Sequence, residues 1–301
     1  MANILICGGT GFVGSAIARK LTDRHNVKVL TRSTSPKNPI PGIQYIQGDI
    51  SNISDLECAM QNCDVVINAA QFNNAPFENP KKNLTYEKVD AEGTENVVAA
   101  SKKMNIAQIL YISGAGVEEG KTENWFVAKL RAEKSIKDSG INYTIFRPSW
   151  IYGKGDRSLN RMIPMVKYSP IVFILGKGYR IQPIHIVDVA DIVAQAVQFP
   201  IAFNQIYELG GPESLTMEQI LHTVAGILKK RKLYLHIPKF LAGILFSILE
   251  KIPGSIVTRA ALDFITMNVE ISGSERKKAE NDFEIQVSSL EKGLRSYLGH
   301  L

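Results

Sequence analysis

The chain opens with the stretch NILICGGTGFVG, residues 3–14, and this stretch decides the fold. Residues 3–7 are a short apolar run that predicts a strand, and Gly8 and Gly9 end it. From Gly11 to residue 24, apolar side chains recur at helical spacing. A strand, a glycine loop and a helix are therefore predicted to follow one another directly.

The glycines of this loop have the spacing that a dinucleotide phosphate site requires. They allow a tight turn, a close approach of the backbone to a pyrophosphate, and close packing of the helix on the strand. The helix N-terminus adds N–H groups and a positive dipole, and a side chain at position 11 would occupy the phosphate space. The alternative is an ordinary glycine-rich turn. The predicted cofactor-binding residues here are Gly8, Thr10, Gly11, Phe12, Val13 and Gly14.

Strand patterns and helical patterns alternate through the first half of the chain, which predicts an α/β fold with a doubly wound parallel sheet of the Rossmann type. After Arg147-Pro148, glycine and proline interrupt this regularity. We therefore predict a Rossmann domain at 1–150 and a smaller mixed lobe at 151–301. Elements near 181–209 are predicted to return from the lobe to the Rossmann domain. The strands are predicted at 27–30, 43–46, 65–68, 109–112, 143–146 and 205–209, and the helices at 56–61, 87–104, 125–138, 187–199 and beyond a capping box at Thr216 and Gln219.

The residues after the second strand indicate which dinucleotide is bound. An acidic residue there would accept hydrogen bonds from the ribose 2′-hydroxyl of NAD. Instead the sequence offers Arg32, Ser33 and Lys37, which suit a 2′-phosphate. NADP(H) is therefore predicted in preference to NAD(H), with NAD(H) and a solvated Arg32 as the alternative. Asp49 is placed to accept the adenine amino group, or else serves as a cap or turn residue.

These motifs together resemble the short-chain dehydrogenase/reductase superfamily in its extended and atypical branches, which are NAD-dependent epimerase/dehydratase-like. The resemblance covers nearly the whole chain, and 147–160 is most similar to the nucleotide-binding accessory subunit of respiratory complex I and its prokaryotic relatives. Thr258-Arg259, followed by Asp263 and Asn268-Val269, resembles the C-terminal region of that group less specifically. The resemblance implies that Ile50, Ala69, Ala70, Lys129 and Pro148 also contact the cofactor.

The chain departs from catalytic members of that superfamily at the proton relay. The resemblance implies Lys129 as the catalytic lysine, but the residue four positions earlier is Trp125 instead of tyrosine. Indole N–H is no general acid near neutral pH. Ser113 is the candidate for the third catalytic group, or a structural serine. Whether the chain is an enzyme stays open between an atypical NADPH-dependent oxidoreductase and a catalytically silent cofactor-binding scaffold. Three substitute proton donors, each better explained as structural, are Tyr86, Tyr152 and His185.

Two segments beyond residue 150 are candidate contact regions. The glycine-rich loop at 153–157 could gate the nicotinamide end of the pocket, whereas Asp188, like His185, is expected to be structural. Residues 238–253 predict an apolar helix of which about 13 residues are strongly apolar, too short to cross a bilayer, which takes ~20. It is either buried or a contact surface for a protein partner or a membrane interface.

Composition limits the remaining classes of function. The net charge of +6 is scattered apart from the run at 229–232, so no nucleic acid partner is expected. Three cysteines without CxxC spacing favour a reducing compartment, and no metal site is predicted. No signal peptide can be recognised. We expect a cytoplasmic protein, with peripheral membrane attachment as the alternative.

Overall fold

The computed structural model describes residues 1–73, 77–249, 262 and 266–299. Its centre is a seven-stranded parallel sheet with the order β3-β2-β1-β4-β5-β6-β11. The predicted doubly wound α/β fold is therefore confirmed. The strands are β1 (Asn3–Cys7), β2 (Asn26–Thr31), β3 (Ile43–Gln47), β4 (Val65–Asn68), β5 (Gln108–Ile112), β6 (Asn142–Pro148) and β11 (Gln205–Leu209).

Helices cover both faces of this sheet because its strands are apolar on both sides. In β1, Ile4 and Ile6 face one core, and Leu5 and Cys7 face another. The first core is closed by α1 and α6, and the opposite face is covered by α2, α3 and α4. These helices are α1 (Phe12–Leu21), α2 (Ile53–Ala59), α3 (Gly93–Lys103), α4 (Asn124–Lys137) and α6 (Ile186–Ala196).

Several helix boundaries differ from the predicted ones, for local reasons. The segment predicted as one helix at 87–104 begins with a π-helical turn, Glu87–Glu92, before α3. The helix predicted from residue 56 begins at Ile53, because the Asn52 side chain accepts a hydrogen bond from the Ser54 N–H and caps it. The helix predicted to reach residue 24 ends at Leu21.

The smaller lobe consists of short elements around a second core that includes Tyr152, Ile163 and Leu221. The predicted capping box at Thr216 and Gln219 is present with both of its hydrogen bonds. Strand pairs join β7 to β10, β9 to β12 and β8 to β13. The elements are β7 (Ile151–Tyr152), α5 (Leu159–Tyr168), β8 (Ile171–Leu175), β9 (Arg180–Ile181), β10 (Ile184–His185), β12 (Leu215–Thr216), α7 (Met217–Ile227), β13 (Leu233–Ile237), α8 (Lys239–Leu249), α9 (Gly273–Asp282) and α10 (Leu290–Leu298).

The chain returns from this lobe to complete the large sheet. Strand β11 pairs in parallel with β6, from Gln205 opposite Thr144 to Leu209 opposite Pro148. Phe283, directly after α9, packs on the sheet with its ring centroid 4.9 Å from that of Tyr207. The last described helices are therefore packed against the Rossmann core as well as the lobe. The domain boundary at residue 150 stays a prediction.

Candidate cofactor and active site

The glycine loop lies at the carboxyl edge of the sheet, between β1 and β4. These two strands are neighbours, and the chain proceeds from β1 to β2 on one side and from β4 to β5 on the other. Ligands of doubly wound sheets bind in the crevice that this change of direction opens. The loop connecting β1 to α1 and the segment after β4 line the crevice.

Three of the loop glycines are required by close backbone and side-chain approaches. Gly8 has a φ of +79°, and a Cβ there would lie 2.6 Å from the Ala69 carbonyl group. A Cβ on Gly14 would lie 2.3 Å from the Gly8 carbonyl oxygen, which is how closely α1 packs on the loop. Gly9, which the sequence argument did not single out, would meet the Val29 side chain at 2.6 Å. The loop therefore cannot take side chains at these positions without moving.

The first turn of α1 is open to an anion. Gly11 is its N-cap, so no side chain caps the helix, and no acidic residue lies in the turn. Thr10 and Gly11 are exposed, whereas Phe12 and Val13 are half-buried. Free N–H groups and the helix dipole at this position favour a bound phosphate. A Cβ on Gly11 would approach only the Gly8 carbonyl oxygen, at 3.2 Å, so the space above it is free.

Arg32 follows β2 at the same edge, and its side chain is 68% exposed. Its Nε lies 3.9 Å from Asp49 Oδ2, so the two residues predicted for the adenosine end are neighbours. The other oxygen of Asp49 accepts hydrogen bonds from the backbone and hydroxyl of Ser51, at 2.8 and 2.7 Å. Asp49 is thus a turn residue that still presents one oxygen beside Arg32. Ser33 is exposed, and its hydroxyl donates to the Ser35 carbonyl.

The segment after β4 is held by a buried chain of hydrogen bonds. Asn68 accepts a hydrogen bond from the Ala70 N–H at 3.1 Å and donates to Thr94 at 3.0 Å. Ala69 and Ala70 are therefore fixed opposite Gly8. The other predicted contact on this side, Ile50, packs on Gly93 at the start of α3.

Lys129 is 1% exposed, and its ammonium group is engaged inside the protein. Its Nζ lies 3.0 Å from Asp90 Oδ1 and donates to the Ile112 carbonyl at 3.2 Å, with the Tyr111 ring centroid 5.0 Å away. Burial acts to lower the pKa of Lys129, but Tyr111 and Asp90 outweigh it and raise the pKa above its usual value. Burial also raises the pKa of Tyr111 to about 12. Lys129 is a charged residue whose partner is another side chain of the protein.

Asp90, which sequence reasoning missed, is fully buried in the π-helical turn. Its second oxygen accepts a hydrogen bond from the Phe72 N–H at 2.9 Å. Because Asp90 stands among charged residues such as Lys88 and Glu92, nothing in the sequence indicates that it is buried.

Trp125 takes the position of the relay tyrosine, and its ring packs on Gly114, directly after Ser113. A Cβ on Gly114 would lie 2.5 Å from the indole ring, so only glycine leaves room for the ring. Phe126 contacts the indole edge-on, with centroids 4.7 Å apart. The indole therefore lies between Phe126 and the backbone that follows β5.

The Ser113 hydroxyl donates to Glu133 Oε1 at 2.6 Å. Glu133 is fully buried and pairs with Arg147 at 2.6 Å, and Arg147 also contacts Glu208 at 3.1 Å. Burial tends to lower the pKa of Arg147, but its two carboxylate partners raise it. This network links α4 to β6 and β11, so Ser113 contacts a structural ion pair. Pro148, at the end of β6, accepts a hydrogen bond from the Ala115 N–H at 2.9 Å.

The substitute proton donors are packed inside the protein. Tyr152 is fully buried beneath α10, and its hydroxyl donates to the Ser289 carbonyl at 3.3 Å. Burial raises the pKa of both Tyr86 and Tyr152 and lowers the pKa of His185. Asp188 accepts a hydrogen bond from the Ser288 N–H at 2.8 Å, which ties α6 to the segment before α10.

The loop at 153–157 lies next to Phe12, at the start of α1, and its role as a gate stays a prediction. A Cβ on Gly155 would come within 3.9 Å of the Phe12 ring. Asp156 accepts N–H groups at the start of α5 and holds the loop in shape. Arg157 donates to the Asn73 carbonyl at 3.3 Å, so it bridges the loop and the segment after β4.

Part of the C-terminal resemblance lies outside the described residues, namely Thr258, Arg259 and Asp263. In the described part of the chain, no helix has the length and hydropathy needed to span a membrane.

Comparisons with known proteins identify the family of this chain. A family model described as NAD(P)H-binding matches residues 8–200. The 40 kDa subunit of NADH-ubiquinone oxidoreductase from Neurospora crassa mitochondria is 23% identical over 253 residues, 82% of this chain and 65% of that protein. UDP-glucose 4-epimerase from Vibrio cholerae is 26% identical over 260 residues, 78% of this chain and 79% of that protein.

Among solved structures, an NADPH-dependent quinone oxidoreductase from Escherichia coli, complexed with NADPH, superimposes with a TM-score of 0.75. It is 17% identical, and the alignment covers 97% of this chain and 99% of that one. This similarity shows a shared fold. The chain spans slightly less than two thirds of the Neurospora subunit.

Proposed function

We propose, from the premise that the chain belongs to the NAD(P)H-binding family, that it binds NADP(H) as a structural cofactor and lacks the proton relay of catalytic short-chain dehydrogenases. One observation carries this proposal. The indole of Trp125 occupies the tyrosine position on Gly114, while the ammonium group of Lys129 is buried against Asp90. The crevice can therefore bind a dinucleotide, but among the residues that the structure describes it presents no acid to a substrate oxygen.

The absence of a proton donor limits the chemistry. A dinucleotide in this crevice would supply a hydride. Reduction of a carbonyl also needs a proton for the developing alkoxide, and a positioned acid typically contributes 10²–10⁴-fold to the rate. The candidate donors are either replaced, as at Trp125, or hydrogen-bonded within the protein, as Ser113, Tyr152 and Lys129 are. We assign Ser113 and Lys129 to structural contacts.

The preference for NADP(H) is supported by the charge around Arg32. The residues directly after β2 carry no carboxylate to accept the 2′-hydroxyl of NAD, and Arg32 is exposed at the strand end. A guanidinium group pairs with a phosphate through two parallel hydrogen bonds. Hydrogen bonds to charged groups are worth about 1.5–3 kcal/mol. The 2′-phosphate should therefore strengthen binding about 10- to 100-fold.

This preference is tested by titrating Arg32→Ala with NADPH and NADH. We expect the Kd for NADPH to rise about 10- to 100-fold, whereas the Kd for NADH stays within about twofold. Arg24→Ala is the matched control, because Arg24 is exposed and precedes β2, at the opposite edge of the sheet. Equal weakening by both variants, or tighter binding of NADH than NADPH by the unaltered protein, would refute the assignment.

The proposed lack of redox catalysis is tested by loading the protein with NADPH and following the nicotinamide absorbance in the presence of a panel of carbonyls and quinones. We expect the bound NADPH to stay reduced. The loaded protein should also have a higher Tm than the free protein, because a ligand at a hundredfold excess over Kd adds about 2.7 kcal/mol of stability. We expect no oxidation beyond the rate in buffer. Oxidation of the bound NADPH by carbonyl substrates at enzymatic rates, with reduction of the carbonyl, would disprove the proposal.

A second candidate function is hydride transfer to a quinone. The relatives include a subunit of NADH-ubiquinone oxidoreductase, and one similar structure is a quinone oxidoreductase. The oxyanion of a reduced quinone is less basic than an alkoxide and can take its proton from water. Oxidation of bound NADPH by quinones alone, in the same panel, would favour this candidate.

The small lobe is the part we propose as an attachment surface. Two of the relatives are mitochondrial subunits, one of NADH-ubiquinone oxidoreductase and one of NADH dehydrogenase (ubiquinone). Within 238–253, the described helix α8 exposes apolar side chains. We propose that this segment attaches the protein at a membrane surface, without crossing it.

A further inference from the structure

The helix α8 presents an apolar face to solvent. Its exposed side chains recur at helical spacing, and Ala242 and Gly243 form the buried side. Spacings of three and four place these residues on one side of a helix. The exposed side chains are Phe240, Leu241, Ile244, Leu245 and Ile248, between 46% and 67% exposed.

The strand pair before the helix carries a second set of exposed apolar side chains. Leu235 is opposite Phe173 in the parallel pair of β13 and β8, and Leu233 lies two residues away on the same face. All three are exposed, whereas Val172 and Ile174 on the other face of β8 are buried in the lobe core. Only Pro238 separates β13 from α8. We define the apolar patch as these three residues with Tyr168 and the five exposed residues of α8.

The chain segments that carry the patch have charge of one sign. Residues 157–187 and 219–249 contain no aspartate or glutamate. Among their cations, Lys177, Lys229, Lys230, Arg231 and Lys239 are exposed, Lys232 donates to the Ser169 carbonyl, and Arg180 pairs with Glu270 outside the two segments. The cations of the two segments are Arg157, Arg161, Lys167, Lys177, Arg180, Lys229, Lys230, Arg231, Lys232 and Lys239.

We propose that the apolar patch docks on an anionic lipid bilayer, with α8 lying in the plane of the interface. Exposed apolar areas of this extent mark interaction sites. The apolar helix, with Lys239 at its start and the basic run 229–232 upstream, fits a membrane interface, where lysine stems extend along apolar surface and their charges reach the headgroups. Protein interfaces, in contrast, are depleted in lysine. This proposal rests on the attachment role assigned to residues 238–253 and is independent of cofactor chemistry.

The attraction should depend on both lipid charge and salt. Each Lys or Arg near an anionic surface strengthens binding by roughly fivefold, and salt screens it within a Debye length of ≈ 10 Å at 0.1 M. We therefore expect the full chain to bind vesicles of mixed phosphatidylcholine and phosphatidylglycerol at least tenfold more tightly than phosphatidylcholine alone. Raising the salt should reverse most of this difference.

Sedimentation with vesicles tests the patch residue by residue. Ile244→Ser combined with Ile248→Ser should weaken binding at least tenfold, because both side chains leave the lipid-facing surface. Leu235→Ser tests the contribution of the sheet. Ile201→Ser is the matched control, since Ile201 is 56% exposed in another part of the fold. Each variant should keep the Tm and NADPH affinity of the unaltered protein, which separates this test from that of cofactor binding.

Three outcomes would overturn the proposal. One is the absence of binding to either vesicle. Another is a loss of vesicle binding in Ile201→Ser as large as that in the α8 variant. The third is self-association of the protein that Ile244→Ser abolishes, with no binding to vesicles. The last outcome would assign the patch to a second copy of the chain. A failure of NADPH binding would leave the vesicle result unaffected.

Discussion

The buried pair of Lys129 and Asp90 allows a sharp test of whether this lysine is structural. The two side chains are 1% and 0% exposed, and their charged atoms lie 3.0 Å apart. Removing one member of such a pair leaves an uncompensated buried charge, which costs about 3–5 kcal/mol. Because whole domains are stable by only about 5–15 kcal/mol, Lys129→Met or Asp90→Asn should each remove a large part of the stability.

The double variant distinguishes a pair from two independent residues. Asn at position 90 can still accept the Phe72 N–H, and Met at position 129 fills the space of the lysine stem. We expect Lys129→Met with Asp90→Asn to be destabilised by less than the sum of the single changes, with a coupling of about 2–3 kcal/mol. Urea unfolding of all four proteins gives the values. Additive losses below about 1 kcal/mol each would refute the structural assignment, as would a folded Lys129→Met protein that binds NADPH tenfold more weakly.

Three further predictions concern the crevice and the core. Gly14→Ala should weaken NADPH binding at least tenfold and lower the Tm, because its Cβ would lie 2.3 Å from a backbone oxygen; Gly226→Ala, with open space around it, is the control and should be neutral or slightly stabilising. Trp125→Tyr should not create carbonyl reductase activity, since the lysine it would need is already paired; NADPH turnover with carbonyls would contradict this. Acid should destabilise the protein, because burial, then the N-terminus and Arg24, lower the pKa of His25. The unfolded chain then binds more protons below about pH 6.5, so the urea midpoint should fall from pH 7.5 to 5.5, and less so in His25→Gln.

The Rossmann sheet could be predicted from the sequence because its strands are short apolar runs separated by helical patterns. β4 and β5, which are buried along their whole length, were predicted within one residue. The spacing of the glycine loop was predictable because part of its constraint is local: Gly14 packs on the Gly8 carbonyl oxygen six residues earlier. The approaches of Gly8 to Ala69 and of Gly9 to Val29 arise only in the folded sheet.

The partner of Lys129 was not predictable, because Asp90 is distant in sequence and meets it only through the packing of α4 on the π-helical turn. The role of Ser113 depends similarly on Glu133, one turn beyond Lys129 on α4. The small lobe was predicted only in outline. Several of its strands, including β7, β9, β10 and β12, have two residues each, too few to show a periodic pattern.

The late arrival of β11 has a consequence for synthesis of the protein. Until the ribosome has released residue 209, β6 is the outermost strand, with its backbone groups unpaired and its apolar faces partly uncovered. Phe283 adds its ring to this edge later still. A nascent chain therefore exposes an unpaired strand edge while some sixty residues are translated. Slowed elongation across the small lobe should for this reason increase aggregation.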